Sequence, residues 1–147
     1  MDGAWRGPAT LKLGPSGETR TFTQTERIGP FLDGSVKVIE VRDYDPDGRV
    51  GFAAFAIISY DPAKRAYSMR SYAMGNQLDF VITPTADGYI GEDRAMTIRY
   101  TATVKDGKWR EVGDRIMPGR DPVRFLELNL VRVGDSNWPG AGAISPK

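Results

Sequence analysis

The chain predicts an all-β fold: a single antiparallel up-and-down β-barrel of roughly eight to ten strands with almost no helix. Three observations lead there. No stretch sustains the apolar period of about 3.6 residues that a substantial helix needs. Apolar and polar residues alternate instead, over runs of strand length. Turn signals cut those runs at short intervals, in Pro15-Ser16-Gly17, Asp33-Gly34, Pro46-Asp47-Gly48, Asp61-Pro62, Gly75-Asn76, Asp87-Gly88 and Asp106-Gly107. Closing such a meander on itself disposes of the edges an open sheet would expose. The 147 residues suit one domain, with the barrel over 1–133 and an irregular tail, rich in Gly and Pro, over 134–147.

Turn chemistry pairs the strands, and pairing decides which side chains share a face. The Pro15-Ser16-Gly17 loop aligns Thr19, Thr21, Thr23, Thr25 and Arg27 with Leu13, Leu11, Ala9, Gly7 and Trp5. A threonine wall facing the lumen would make it amphipathic. Pro46-Asp47-Gly48 suits a three-residue loop with a glycine bulge. It groups Val36, Val38, Glu40 and Arg42 with Phe52, Ala54, Ala56 and Ile58, so Glu40 faces small Ala54 and leaves space. Tyr60-Asp61-Pro62 reads as a strand end and turn. Gly75-Asn76 sets Met69, Ser71 and Ala73 beside Leu78, Phe80 and Ile82, with Arg70 and Asp79 as diagonal neighbours outside.

Asp106-Gly107 suits a two-residue hairpin. Trp109 then faces Val104, Glu111 faces Ala102, Gly113 faces Tyr100 and Arg115 faces Ile98, with Asp114 opposite Arg99 on the reverse. The inner side carries Met96, Ile98, Tyr100, Ala102 and Val104, which forces Glu111 and Arg115 inward. Trp109 reads as core packing. In the tail, Trp138 is the side chain large enough to anchor the chain to the barrel wall, its mouth or a neighbouring copy, with Ile144 a minor second.

The inner set Glu40, Arg42, Tyr100, Glu111 and Arg115, with Phe52 and Ala54 beside it, is the candidate ligand site. Burying charge costs several kcal/mol per ion unless it is paired. Such a set either compensates itself or orients a polar ligand group. Asp43, Asp45, Asp47 and Gly48 superficially match a calcium loop, but the terminal Glu is missing and Pro46 favours an ordinary turn, so no metal site is expected.

Absences narrow the chemistry. With no His and no Cys, the chain forms no disulfide, no Ser-His-Asp arrangement, no imidazole metal site and no histidine-ligated haem, so no cofactor is expected. The net charge of +1, spread without a basic stripe, makes nucleic acid and anionic membrane poor partners. No segment approaches the ~20 apolar residues of a membrane span. No signal peptide is read in the sequence, which leaves the compartment open between the cytoplasm and, if an upstream leader was removed, the periplasm. A homodimer is compatible with the composition.

Gly3-x-Trp5 at the start, with Arg132 on the last strand, resembles the calycin superfamily of lipocalins and their relatives. The resemblance continues in Gly29-Pro30-Phe31-Leu32-Asp33-Gly34, Ile58-x-Tyr60-Asp61 and Asp106-Gly107-x-Trp109. From Gly3 to Arg132 the chain is similar to a bacterial domain-of-unknown-function family with a lipocalin-like barrel. The resemblance implies that Trp5 plugs one end and that Arg132, or failing it Arg27, lies over the indole. It also turns Arg132 inward with Leu126, Leu128 and Leu130, whereas a loop centred near Arg120 would turn Glu127 and Asn129 inward. The Leu face, being more apolar, is the favoured one. Relatives include fatty-acid carriers, haem proteins that need a histidine, and a few cyclases and isomerases. The expected function is therefore non-catalytic binding of a small amphipathic molecule in the lumen. The alternatives are a cyclase or isomerase using a lumen Glu or Tyr as acid or base, and a filled barrel acting as a protein-interaction module.

Overall fold

The computed structural model describes residues 1–14, 17–140 and 144–145. Ten antiparallel strands follow in order: β1 (Gly3–Leu13), β2 (Glu18–Phe31), β3 (Val36–Tyr44), β4 (Val50–Asp61), β5 (Ala66–Ala73), β6 (Asn76–Thr85), β7 (Gly88–Asp93), β8 (Ile98–Lys105), β9 (Lys108–Arg115) and β10 (Val123–Gly134). Each pairs with its neighbours in sequence, and β10 pairs back onto β1, closing the barrel. No helix occurs among the described residues, and none is long and apolar enough to cross a membrane.

Two hairpins depart from the expected register by one residue, and a one-residue slip reverses every side chain on the strand. In β1–β2, Leu13 pairs with Glu18 and Ala9 with Phe22. The connection therefore spans one residue more than the expected loop; its Pro15 and Ser16 lie outside the described residues. Phe22, Gln24, Glu26 and Ile28 are buried as a result, and the expected threonine wall faces out, with Thr19, Thr21 and Thr23 exposed. In β3–β4 the turn forms as expected: Asp45 N donates to Arg49 O (2.9 Å), and Gly48 takes φ +80°. A β-bulge then intervenes. Tyr44 pairs with Val50 and Asp43 with Phe52, leaving Gly51 as the extra residue. Ile39, Val41 and Asp43 consequently join Ala54 and Ala56 inside, while Glu40 and Arg42 face out.

Gly51, at the bulge, carries no Cβ. A Cβ there would come within 2.3 Å of Arg20 Nη2. The freed space holds the Arg20 guanidinium, which bonds Asp45 Oδ1 at 2.5 Å and lies 5.3 Å from the Phe22 ring centroid.

The remaining hairpins follow the sequence more closely. Tyr100 faces Gly113, Ala102 faces Glu111 and Ile98 faces Arg115, as expected. Met69 faces Phe80 and Ser71 faces Leu78; Arg70 is directly opposite Asp79 rather than diagonal to it, and makes a two-point ion pair at 2.6 and 2.9 Å. Met96, expected inward, lies exposed in the β7–β8 turn with φ 56°. That turn is held by the Asp93 carboxylate, which accepts from Thr97 N, Thr97 Oγ1 and Ile98 N. On β10 the leucine face is the inner one: Leu128 and Leu130 are buried and Leu126 packs against the core, while Glu127 pairs with Arg110 outside and Asn129 is exposed.

The core is densest at the end that holds Trp5. Trp5 and Trp109 meet edge to face, with centroids 5.6 Å apart, and Ile28, Leu128 and Leu130 close around them. Trp5 Nε1 donates to Met1 O at 2.8 Å. Arg132 is the cross-strand partner of Trp5. Its guanidinium does not stack on the indole, however; it runs beside Gly3 to the Asp2 carbonyl (3.4 Å) and to Asp135 (2.5 Å). Arg27 does not cover the indole either, because it lies 5.5 Å from the Trp138 ring centroid. The tail anchor is thus Trp138, packed edge-on to Phe31 at 5.8 Å on the outer wall, while Ile144 is fully exposed.

Candidate ligand site in the barrel lumen

The inner wall gathers a polar cluster that only register could create. On β2, Gln24 and Glu26 are two residues apart, so both point inward between apolar Phe22 and Ile28. Gln24 Nε2 donates to Glu26 Oε1 at 2.7 Å. From β7, the Tyr89 hydroxyl donates to Glu111 Oε2 on β9. Asp43 on β3, one step from Gln24 across the ladder, adds a third buried carboxylate. Tyr100 on β8 lies in the same lumen, between the rings of Phe80 and Phe125.

These acids sit in an environment that disfavours their charge. Burial, reinforced by the nearby Glu111 and Asp43 carboxylates, holds Glu26 well above the usual carboxylate range, although the Gln24 hydrogen bond opposes this. Burial pushes Glu111 up to about 7 against the opposing bond from Tyr89. The Trp109 indole N–H lies near enough to Glu111 to act in the same direction as Tyr89 but outside hydrogen-bond geometry, and it remains without a partner. Burial also raises Asp43 to about 6, with Arg20 opposing; its Oδ1 is buried and unpartnered. Tyr100 is pushed up to about 12, first by burial and then by Glu111. No Lys or Arg among the described residues forms an ion pair with Glu26, Glu111 or Asp43.

The lumen is closed at the tryptophan end and looser beyond it. Val41, Ala54, Ser71, Ala73 and Tyr100 face inward yet are only half-buried, and Leu78 is 49% exposed at the far rim.

Of the residues the sequence nominated, Glu111, Tyr100, Phe52 and Ala54 do share this lumen. Arg115 stands exposed at the rim, its guanidinium 5.6 Å from the Phe125 ring centroid. Glu40 and Arg42 are outside, bound to each other at 2.6 and 2.8 Å. There they line an open groove of about 650 Å³ with Phe55, Tyr72, Met74 and Trp138, on the outer wall of β3–β6. A smaller cleft of about 370 Å³ lies at the rim between Lys12, Arg115, Met117 and Phe125.

Sequence reasoning missed Gln24, Glu26, Asp43 and Tyr89. The signal for the β2 residues was present: Phe22 and Ile28 are the apolar members of one alternating face, and Gln24 and Glu26 lie between them. For Tyr89, the Asp87-Gly88 turn sets it only against Pro84; its inward direction follows from the pairing of β7 with β8, where it faces Ala102.

With this geometry in hand, comparison with solved structures finds the crystal structure of Rv2717c from M. tuberculosis, at a TM-score of 0.67. The two chains superpose over 89% of this one and 91% of that one, at 10% sequence identity. The likeness is one of fold. No family model matches the chain, and no curated protein matches it.

Proposed function

We propose that the chain is a lipocalin-like barrel, akin to the bacterial family its motifs resemble, and that it binds a small amphipathic molecule in its lumen without transforming it. The observation that carries this reading is the buried set Glu26, Gln24, Glu111 and Tyr89 inside an otherwise apolar wall. A barrel interior serving only stability gains little from unpaired acids, because desolvating each costs several kcal/mol. A container gains orientation and specificity from a few polar groups set among apolar ones. The ligand's apolar body lies along Phe52, Ile58, Ile98 and Tyr100, and its polar end reaches the Glu26–Glu111 cluster. Ligand access is through the rim opposite Trp5, where Leu78 is exposed and Arg115 stands over Phe125. The absence of His and Cys points to an organic ligand rather than a haem held by either residue.

Native mass spectrometry of protein taken directly from its host tests this. A non-covalent small-molecule adduct is expected, and substituting Ala54 by Trp should displace it by filling the lumen. A bare chain that also takes up no member of a panel of small amphiphiles overturns the reading.

A further inference from the structure

The three lumen carboxylates are the groups the fold leaves most in want of a counterpart. Glu26, Glu111 and Asp43 come from three different strands, and both Glu111 and Asp43 act on Glu26 through space. The groups facing Glu26 are Glu111 from β9, Asp43 from β3, Tyr89 from β7 and Gln24 on its own strand. Tyr100 from β8 faces Glu111, with Asp93 acting on it from the end of β7. None of these is basic. Arg20 acts on Asp43 but is bonded to Asp45 at the rim. A second, independent sign is Asp43 itself, 7% exposed, with one carboxylate oxygen buried and unpartnered. Three aromatic rings frame the cluster: Trp5 and Tyr89 both meet Trp109 edge to face, at 5.6 and 6.4 Å.

We propose that the polar end of the lumen ligand is an organic ammonium group, seated among the lumen carboxylates Glu26, Glu111 and Asp43. This rests on the lumen-binding reading above and gives that ligand its charge. A buried carboxylate gains a charge-assisted hydrogen bond from an ammonium, whereas a carboxylate ligand would add a fourth like charge to the same space. Binding an ammonium favours the ionised acids. It therefore releases protons from Glu26 and Glu111 and strengthens as pH rises.

Isothermal titration with n-hexylammonium, hexanol and hexanoate, which share one apolar body, tests the proposal. Hexylammonium is expected to bind at least ~tenfold more tightly at about pH 8 than at about pH 6. Glu26→Gln and Glu111→Gln should each weaken hexylammonium by ~tenfold at about pH 8 while hexanol affinity stays unchanged. Hexanoate or hexanol binding as tightly as hexylammonium would overturn the ammonium proposal and leave the lumen reading standing. Hexylammonium binding that ignores pH and both substitutions would overturn it as well. Failure of all three probes to bind would overturn both.

Discussion

Glu26 shows how much one carboxylate can alter in a fold of this kind. It lies opposite Trp5 on the neighbouring strand, and among the described residues Gln24 is the side chain that hydrogen-bonds it. Burial raises it well above its usual range, moves Glu111 from 4.5 to about 7, and moves Asp43 from 3.8 to about 6. An acid whose pKa rises on folding favours the fold while protonated. That stability is complete below the unfolded-state value and is lost as pH climbs through the folded-state one. The free protein should therefore lose stability between pH 4.5 and about 7 through Glu111, and between 3.8 and about 6 through Asp43. The loss is on the order of a few kcal/mol for Glu111. Urea denaturation across that range measures it. Glu111→Gln should flatten the profile, and an unchanged slope in that variant would assign the pH dependence elsewhere.

At the scale of the element, the decisive features are the places where a strand changes register. Glu111 was legible in the sequence because Asp106-Gly107 closes a two-residue hairpin that leaves one pairing, and Ala102 and Val104 mark the inner face. Glu40 and Arg42 were misplaced because the β3–β4 turn, read correctly, is followed by a bulge that no turn rule announces. Gly51 was the clue, since a glycine inside a strand often marks a bulge. Deleting Gly51 would make the ladder continuous while leaving Asp43 opposite Phe52 and Val41 opposite Ala54. The lumen set is therefore expected to survive, with the near-ultraviolet circular dichroism of the buried tryptophans retained; its loss would show that the bulge itself holds the barrel.

Gly29 makes a second local prediction. A Cβ there would come within 2.6 Å of Ser136 Oγ and 3.2 Å of Trp138 Cβ, so the bare backbone is the seat of the tail. Gly29→Val should lift Trp138 from Phe31 and Arg27 and destabilise the protein by about 1–2 kcal/mol. Limited proteolysis should then cut between Gly134 and Trp138 faster than in the parent, with the barrel itself intact. The composition of the tail, rich in Gly and Pro, concealed this attachment because composition reports flexibility and not the one aromatic that overrides it.

For the molecule as a whole, the barrel is asymmetric along its axis. One end is a packed plug of Trp5, Trp109, Ile28, Leu128 and Leu130, each at most 3% exposed. The other keeps inward side chains partly accessible around a rim guarded by the Arg20–Asp45 pair and Arg115. Stability and binding are therefore expected to separate. Leu130→Ala, deep in the plug, should cost about 2–5 kcal/mol by leaving a cavity, read as a shifted denaturation midpoint, with little change in ligand affinity. A substitution at Ala54 should do the reverse. The sequence displayed the plug openly, in Gly3-x-Trp5 and the leucine face of β10. The site was half hidden because its acids lie on strands whose partners are shifted by single residues.

The pairing of β1 with β10 brings Ala4 level with Gly134, so the two ends of the sheet arrive side by side. Every other neighbour in the barrel is joined by a hairpin, which leaves this seam as the sole break in an otherwise unbroken circuit of strands. Topologically the fold is a ring that happens to be opened there. A short peptide bridging Gly3 and Gly134, with a new opening cut at the exposed Met74-Gly75 turn, would preserve every strand pair and every lumen side chain. Such a rewired chain, which gives up the tail, is expected to reach the same barrel with the same binding. Only the order in which its strands leave the ribosome would differ.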